Sequence, residues 1–74
     1  MTLDKVQMGT SARLVNIRSS AALRSRLLEL GLTPGTDVSI VRVAPLGDPI
    51  EVKVRGYRLT LRKKDAALIN CQKI

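Results

Sequence analysis

The stretch Arg26-Leu27-Leu28-Glu29-Leu30-Gly31-Leu32-Thr33-Pro34-Gly35 reads as the end of a helix, a glycine stop and a Pro-Gly turn. Upstream, Ser19-Ser20 are good helix N-cap residues. From Ala21 to Leu30 the chain has no Gly, Pro or β-branched residue, so nothing there opposes a helix. Leu23, Leu27 and Leu30 recur at i, i+4 and i+7 and predict one apolar stripe. Leu28 lies about 100° around the axis from Leu27, off that stripe and on the side of Arg24. Gly31 can take the left-handed conformation that closes a helix, and Pro34 prevents its resumption. This is the chain's one expected amphipathic helix.

Outward from the helix, the pattern is that of strands. Ala12 to Ile17 forms a first strand, with Leu14 on one face and Val15 and Ile17 leaning toward the other side or the strand end. Asp37 to Ala44 forms a second. Simple alternation groups Val38, Ile40 and Arg42 against Ser39, Val41 and Val43, so both faces carry apolar residues, as in a strand bending around a small barrel. Pro45-Leu46-Gly47-Asp48-Pro49 is a turn. Ile50, Val52 and Val54 then alternate with Glu51, Lys53 and Arg55, and after Gly56, Tyr57, Leu59 and Leu61 alternate with Arg58, Thr60 and Arg62. Two period-2 runs around a glycine predict a β-hairpin, one face buried and including Tyr57, the other basic. Lys63 to Ala67 reads as a tight turn or one turn of 3₁₀-helix, and Leu68 to Gln72 as a last short strand. Thr2 to Val6 could form a single helical turn capped by Thr2. About five short strands with one inserted amphipathic helix predict a mainly β chain, a small barrel of SH3 type.

Composition narrows the chemistry. The chain has 74 residues, no His, one Cys and one aromatic, Tyr57. A chain of this length is expected to be a single domain, 1–74, with a thin core of Leu, Ile and Val. Its six acids are dispersed along the chain, with no close pair for acid–base catalysis. Ser11, Ser19 and Ser20 lack a His to activate them. An enzyme is therefore not expected. Metal sites built from Cys and His clusters are not expected either, nor is any cofactor; the chain has neither a G-x-G-x-x-G nor a Walker sequence. Cys71 is alone and fits a reducing compartment. The N-terminus lacks the apolar core of a signal peptide, and no apolar run approaches the roughly 18 residues of a membrane span. A cytoplasmic protein is expected.

Two surfaces remain as candidates. Thirteen Lys and Arg stand against six Asp and Glu, a net charge of +7, which favours acidic partners. Lys53, Arg55, Arg58 and Arg62 are expected to share the outer face of the hairpin, with Lys63 and Lys64 extending it. A solvated basic face is the plain alternative. As a nucleic-acid surface it lacks the aromatic platforms on which single strands stack. The helix offers the second surface: if Leu23, Leu27 and Leu30 cover the barrel, Leu28 and Arg24 are left facing outward, where a leucine-rich helix can dock. Exposed strand edges and these leucines would also permit a homo-oligomer.

Three stretches together resemble a known family. Arg26 to Gly35 is similar to the R-L-x-x-L-G-h-x-P-G signature of the ferrous iron transport protein A, or FeoA, family. Val43-Ala44-Pro45-Leu46-Gly47-Asp48-Pro49-Ile50 resembles its A-P-x-G-D-P turn. Arg55-Gly56-Tyr57, followed by Leu59, Leu61, Arg62, Lys63, Asp65 and Ala66, resembles its closing R-G-x-x-h-x-L-R-x-x-D-A segment. These motifs lie in one register over nearly the whole chain.

The resemblance implies an SH3-like barrel with an inserted helix and no enzymatic activity. It implies a small cytoplasmic accessory protein of bacterial ferrous iron uptake, peripheral to the inner membrane through its partner. That partner would be the membrane Fe(II) transporter of the same system, ferrous iron transport protein B, whose cytoplasmic region includes a GTP-binding domain. Leu23, Leu27, Leu28 and Leu30 would then meet the transporter, and Lys53, Arg55, Arg58 and Arg62 an acidic partner surface or an anionic membrane surface. The competing expectations are a nucleic-acid-binding SH3-like module that uses the basic hairpin face, and an Fe(II)-sensing domain. No specific nucleic acid is expected.

Overall fold

Two valines out of step with their neighbours set the curvature of the sheet. The computed structural model describes residues 1–74. Strands β1 (Ser11–Ile17), β2 (Asp37–Val43), β3 (Ile50–Val54), β4 (Tyr57–Leu61) and β5 (Ile69–Lys73) form one sheet in the order β4-β3-β2-β1-β5. Every pairing in it is antiparallel. Helix α1 (Ala21–Glu29) joins β1 to β2, and the single turn α2 (Lys63–Ala66) joins β4 to β5.

In β1 the register against β5 shifts between Leu14 and Asn16, and in β2 the register against β3 shifts between Ile40 and Arg42. Val15 and Val41 are the extra residues of two β-bulges, which bend a strand and increase its twist. Each bulge also resets the parity of the residues beyond it. Leu14 and Ile17 therefore both enter the core, and Val15 is exposed. Beyond the second bulge Arg42 turns outward and Val43 packs against the core. Unbroken alternation would place Ile17 opposite Leu14 and Arg42 beside Ile40; the bulges correct both expectations. The sheet curls around a core of aliphatic side chains plus Cys71.

The β3–β4 hairpin follows its period-2 pattern. Ile50, Val52, Val54 and Leu61 are buried, and Leu59 packs against them. Arg55 and Gly56 both have positive φ, 49° and 88°, between the paired Val54 and Tyr57, which is the type I′ geometry that matches strand twist. The one-turn segment after β4 is α-helical rather than 3₁₀. Its start is held by Asp48 Oδ1, which accepts the Lys63 N–H at 2.9 Å. At the other end of the chain, a 3₁₀ turn at Leu3–Lys5 buries Leu3. Thr2 makes no capping bond there; its hydroxyl donates to Asp4 Oδ1 instead. Met1 and Thr2 run along β5, where the Cys71 N–H donates to the Met1 carbonyl at 2.8 Å. The last strand lies one residue further on than its expected start and end. No helix is long and apolar enough to cross a membrane.

Helix α1 begins where Ser20 Oγ accepts the Leu23 N–H at 3.4 Å. It ends in a Schellman closure: Leu32 N–H donates to the Leu27 carbonyl at 3.1 Å and Gly31 N–H to the Leu28 carbonyl at 3.0 Å, with Gly31 at φ 97°. The expected stripe of three leucines is corrected by this closure. Leu27 is 1% exposed and Leu23 packs against the core, but Leu30 is 39% exposed. Leu30 is the C-cap, and the chain turns away at the next residue. Leu32, not Leu30, completes the apolar contact with Leu27; both are fully buried.

Candidate functional site

An open groove of about 610 Å³ runs between α1 and the ends of β1 and β5. Arg24 and Leu28, one helical turn apart, form its helix wall. Pro34 from the helix exit, and Asn16, Ile17 and Arg18 from the end of β1, form much of the rest, with Asn70 of β5 at one side. Asn70 Nδ2 donates to Asn16 Oδ1 at 2.7 Å. Arg24 reaches only the Ser19 carbonyl, at 3.5 Å. Both ion pairs of the chain lie elsewhere: Arg13–Asp37 at 2.9 Å and Arg58–Glu51 at 3.5 Å. The outward side of α1 expected for Arg24 and Leu28 is thus a wall of a defined groove.

The opposite side of the helix exit is closed. A Cβ on Gly31 would collide with the Tyr57 hydroxyl and touch Val54. Tyr57 follows the parity of the inner face, since it pairs with Val54, but it lies at the strand's end over Gly31 and is 43% exposed. Its expected burial is corrected accordingly. Arg55 donates from Nη2 to Thr33 Oγ1 at 3.2 Å and to Thr36 Oγ1 at 3.1 Å, and those hydroxyls are 2.7 Å apart. The Thr33–Thr36 turn is fixed to β1 as well: Gly35 N–H donates to the Leu14 carbonyl at 2.8 Å, and Leu14 N–H to that of Thr36 at 2.9 Å. The hairpin tip is pinned to the helix exit. No local pattern in the sequence announces that long-range pin; two threonines flanking Pro-Gly, and an arginine in a turn, are its only traces.

The expected basic stripe therefore divides. Lys53 and Arg58 stand opposite one another on the outer face of β3 and β4, a like-charge pairing that costs some stability and is offset by the contact of Arg58 with Glu51. Arg55 is corrected out of this face, because positive φ turns it toward Thr33 and Thr36. Arg62 lies past the end of β4 as the N-cap of α2, exposed beside Asp48 and Lys64. Of the four candidate leucines, Leu28 alone lines the groove; Leu27 is core and is corrected out of the docking surface.

Two titrating groups depart from their ordinary values. Burial pushes the Cys71 thiol up, which keeps it neutral and unreactive. The hydrogen bond from Arg13 to Asp37 raises the guanidinium further still.

The architecture is a small SH3-like β-barrel with one inserted helix, and its prominent open features are surfaces. Residues 1–73 match the FeoA domain, and the chain belongs to that family. Over all 74 residues it is 34% identical to the Fe(2+) transport protein A/Fe(2+) transporter FeoB fusion protein of Porphyromonas gingivalis, and it spans 9% of that protein's length. The solution structure of iron(II) transport protein A from Clostridium thermocellum superposes with a TM-score of 0.95 at 39% identity, over 100% of this chain and 46% of that one. The crystal structure of Stenotrophomonas maltophilia FeoA complexed with zinc, a prokaryotic SH3 domain protein, gives 0.85 at 32% identity over 97% and 89%.

Proposed function

We propose that this chain serves ferrous iron uptake as a cytoplasmic accessory domain that docks on the cytoplasmic GTP-binding region of the membrane Fe(II) transporter. One observation carries the reading. The Porphyromonas gingivalis relative joins an FeoA part and an FeoB transporter in one polypeptide. Covalent linkage raises the effective concentration of two modules that work in contact. A domain of the same family would reach the same partner through its own surface.

The face with Leu28 and Arg24 suits that contact, because the chain leaves it unfilled while it pins the opposite side of the helix exit. Lys53, Arg58 and Arg62 add cationic surface that would approach an acidic part of the transporter or the inner leaflet. Tagged chain, mixed with detergent-solubilised transporter, is expected to retain it through a size-exclusion column and to change its GTP hydrolysis rate. Separate elution at concentrations where both stay soluble would contradict the proposal. A nucleic-acid role predicts instead a salt-sensitive shift of DNA or RNA in a gel.

A further inference from the structure

The groove between α1 and β1 has a chemistry of its own. Arg18 and Arg24 stand at it, both exposed, and no Asp or Glu lines it. The acids of the chain are largely engaged elsewhere: Asp37 with Arg13, Glu51 with Arg58, Asp48 at the start of α2, and Asp4 with Thr2. Beside the two guanidinium groups lies an apolar strip of Ile17, Leu28 and Pro34, contributed by β1, α1 and the helix exit. The amides of Asn16 and Asn70 share one hydrogen bond. Whichever way the two amides are turned, that leaves free donor and acceptor capacity at the groove wall.

We propose that this groove binds an acidic peptide segment in which a carboxylate side chain neighbours an aliphatic one. The carboxylate lies between Arg18 and Arg24, whose planar forks suit bidentate contact. The aliphatic side chain covers Ile17, Leu28 and Pro34. The asparagine pair meets a peptide group, which needs both a donor and an acceptor. A lipid phosphate would use the arginines but has no use for the acceptor. The proposal deepens the transporter-docking reading by giving the chemistry of the contacting segment, and the groove's preference for that chemistry does not depend on which protein carries it.

The test is a titration of the isotope-labelled full chain, followed by amide NMR, with a short blocked peptide that alternates Glu and Leu. Signals of Asn16, Arg18, Arg24, Leu28 and Asn70 are expected to move. Affinity is expected to fall about tenfold or more for the Gln/Leu counterpart peptide and for Arg24→Glu or Arg18→Glu. The unchanged spectrum of the rest of each variant checks that it remains folded. Vesicles of phosphatidylglycerol are expected to leave the groove signals in place. The proposal is overturned if the signals do not move up to the limit of peptide solubility, if they move around Lys53 and Arg58 instead, if the Gln/Leu peptide binds equally well, or if vesicles displace the Glu/Leu peptide. The two readings separate cleanly. Peptide in the groove with no retention of the transporter contradicts the transporter reading and leaves this one standing. A folded Arg24→Glu chain that loses the peptide but retains the transporter removes the groove as the contact.

Discussion

Leu27 and Leu28 are adjacent in α1, and they belong to two regions with opposite fates. On the side of Leu27, the helix exit is closed by Leu32, by Tyr57 over Gly31, and by Arg55 bonded to Thr33 and Thr36. On the side of Leu28, two arginines and an apolar strip border a groove that no other part of the chain occupies. One ten-residue stretch thus holds the barrel together with one set of side chains and leaves the next set free. The pinned side gives the open side its rigidity. A groove wall set on a helix whose end cannot swing presents its side chains in fixed positions, which lowers the ordering cost of binding.

The contrast can be broken first at its core. Leu27→Ala is expected to cost about 2–5 kcal/mol, because it empties a fully buried position, whereas Leu28→Ala, at a position 36% exposed, should cost about 1 kcal/mol. Urea denaturation midpoints read both. Near-equal losses would mean that the two leucines do not differ in environment as described. Gly31→Ala comes next. Its positive φ alone should cost about 1–2 kcal/mol, and the new Cβ adds a collision with the Tyr57 hydroxyl. Tyr57→Phe removes the colliding oxygen, so the double variant should be more stable than the sum of the single effects predicts. Strict additivity would show that the ring does not rest on Gly31.

Smaller effects sharpen the picture of the hairpin tip. Arg55→Ala should cost about 1 kcal/mol for the lost bonds to Thr33 and Thr36. Arg55→Asn should cost less, because Asn-Gly suits a type I′ turn; the ordering of the two variants by thermal denaturation separates bonding from turn strain. Smallest is the contribution of Cys71. Burial holds its folded pKa above the ordinary thiol value, so the unfolded chain releases the proton first. The contribution is complete below the unfolded pKa and is lost as pH rises through the folded one. The stability of the parent relative to Cys71→Val should therefore decline only in alkaline solution. A decline beginning at neutral pH would mean that the thiol is not protected.

How much of the fold is legible in the sequence depends on the range of the interactions. The helix stop at Gly31, the cap within Ser19-Ser20 and a hairpin turn at Gly56 are local, and their residues state them; that Arg55 is the turn's other residue is not stated by its type. The hairpin core of Ile50, Val52 and Val54 is legible because an unbroken period of two leaves no other face to bury. Ile17 and Arg42 escape simple alternation because a bulge has no strong residue signature; Val15 and Val41 look like ordinary strand residues, and each shifts everything after it. Tyr57 keeps its parity but not its burial, since position along a strand decides exposure as much as face does. The groove is visible in the sequence only as an i, i+4 pair, Arg24 and Leu28. Its other members come from β1, β5 and the helix exit, brought together by the sheet's curvature. Arg55 belongs to a charge pattern in the sequence and to a hydrogen-bonded junction in the fold.

The groove face of α1, more than the basic face of the hairpin, is proposed to hold the transporter. The most direct measurement is the affinity of the transporter's cytoplasmic region for Leu28→Glu and for Lys53→Glu, both at exposed positions and each first shown to be as stable as the parent. Leu28→Glu is expected to abolish measurable binding, while Lys53→Glu weakens it by no more than about tenfold, as a charge at the rim does. Full binding by a folded Leu28→Glu chain, with loss confined to Lys53→Glu, would contradict the proposal.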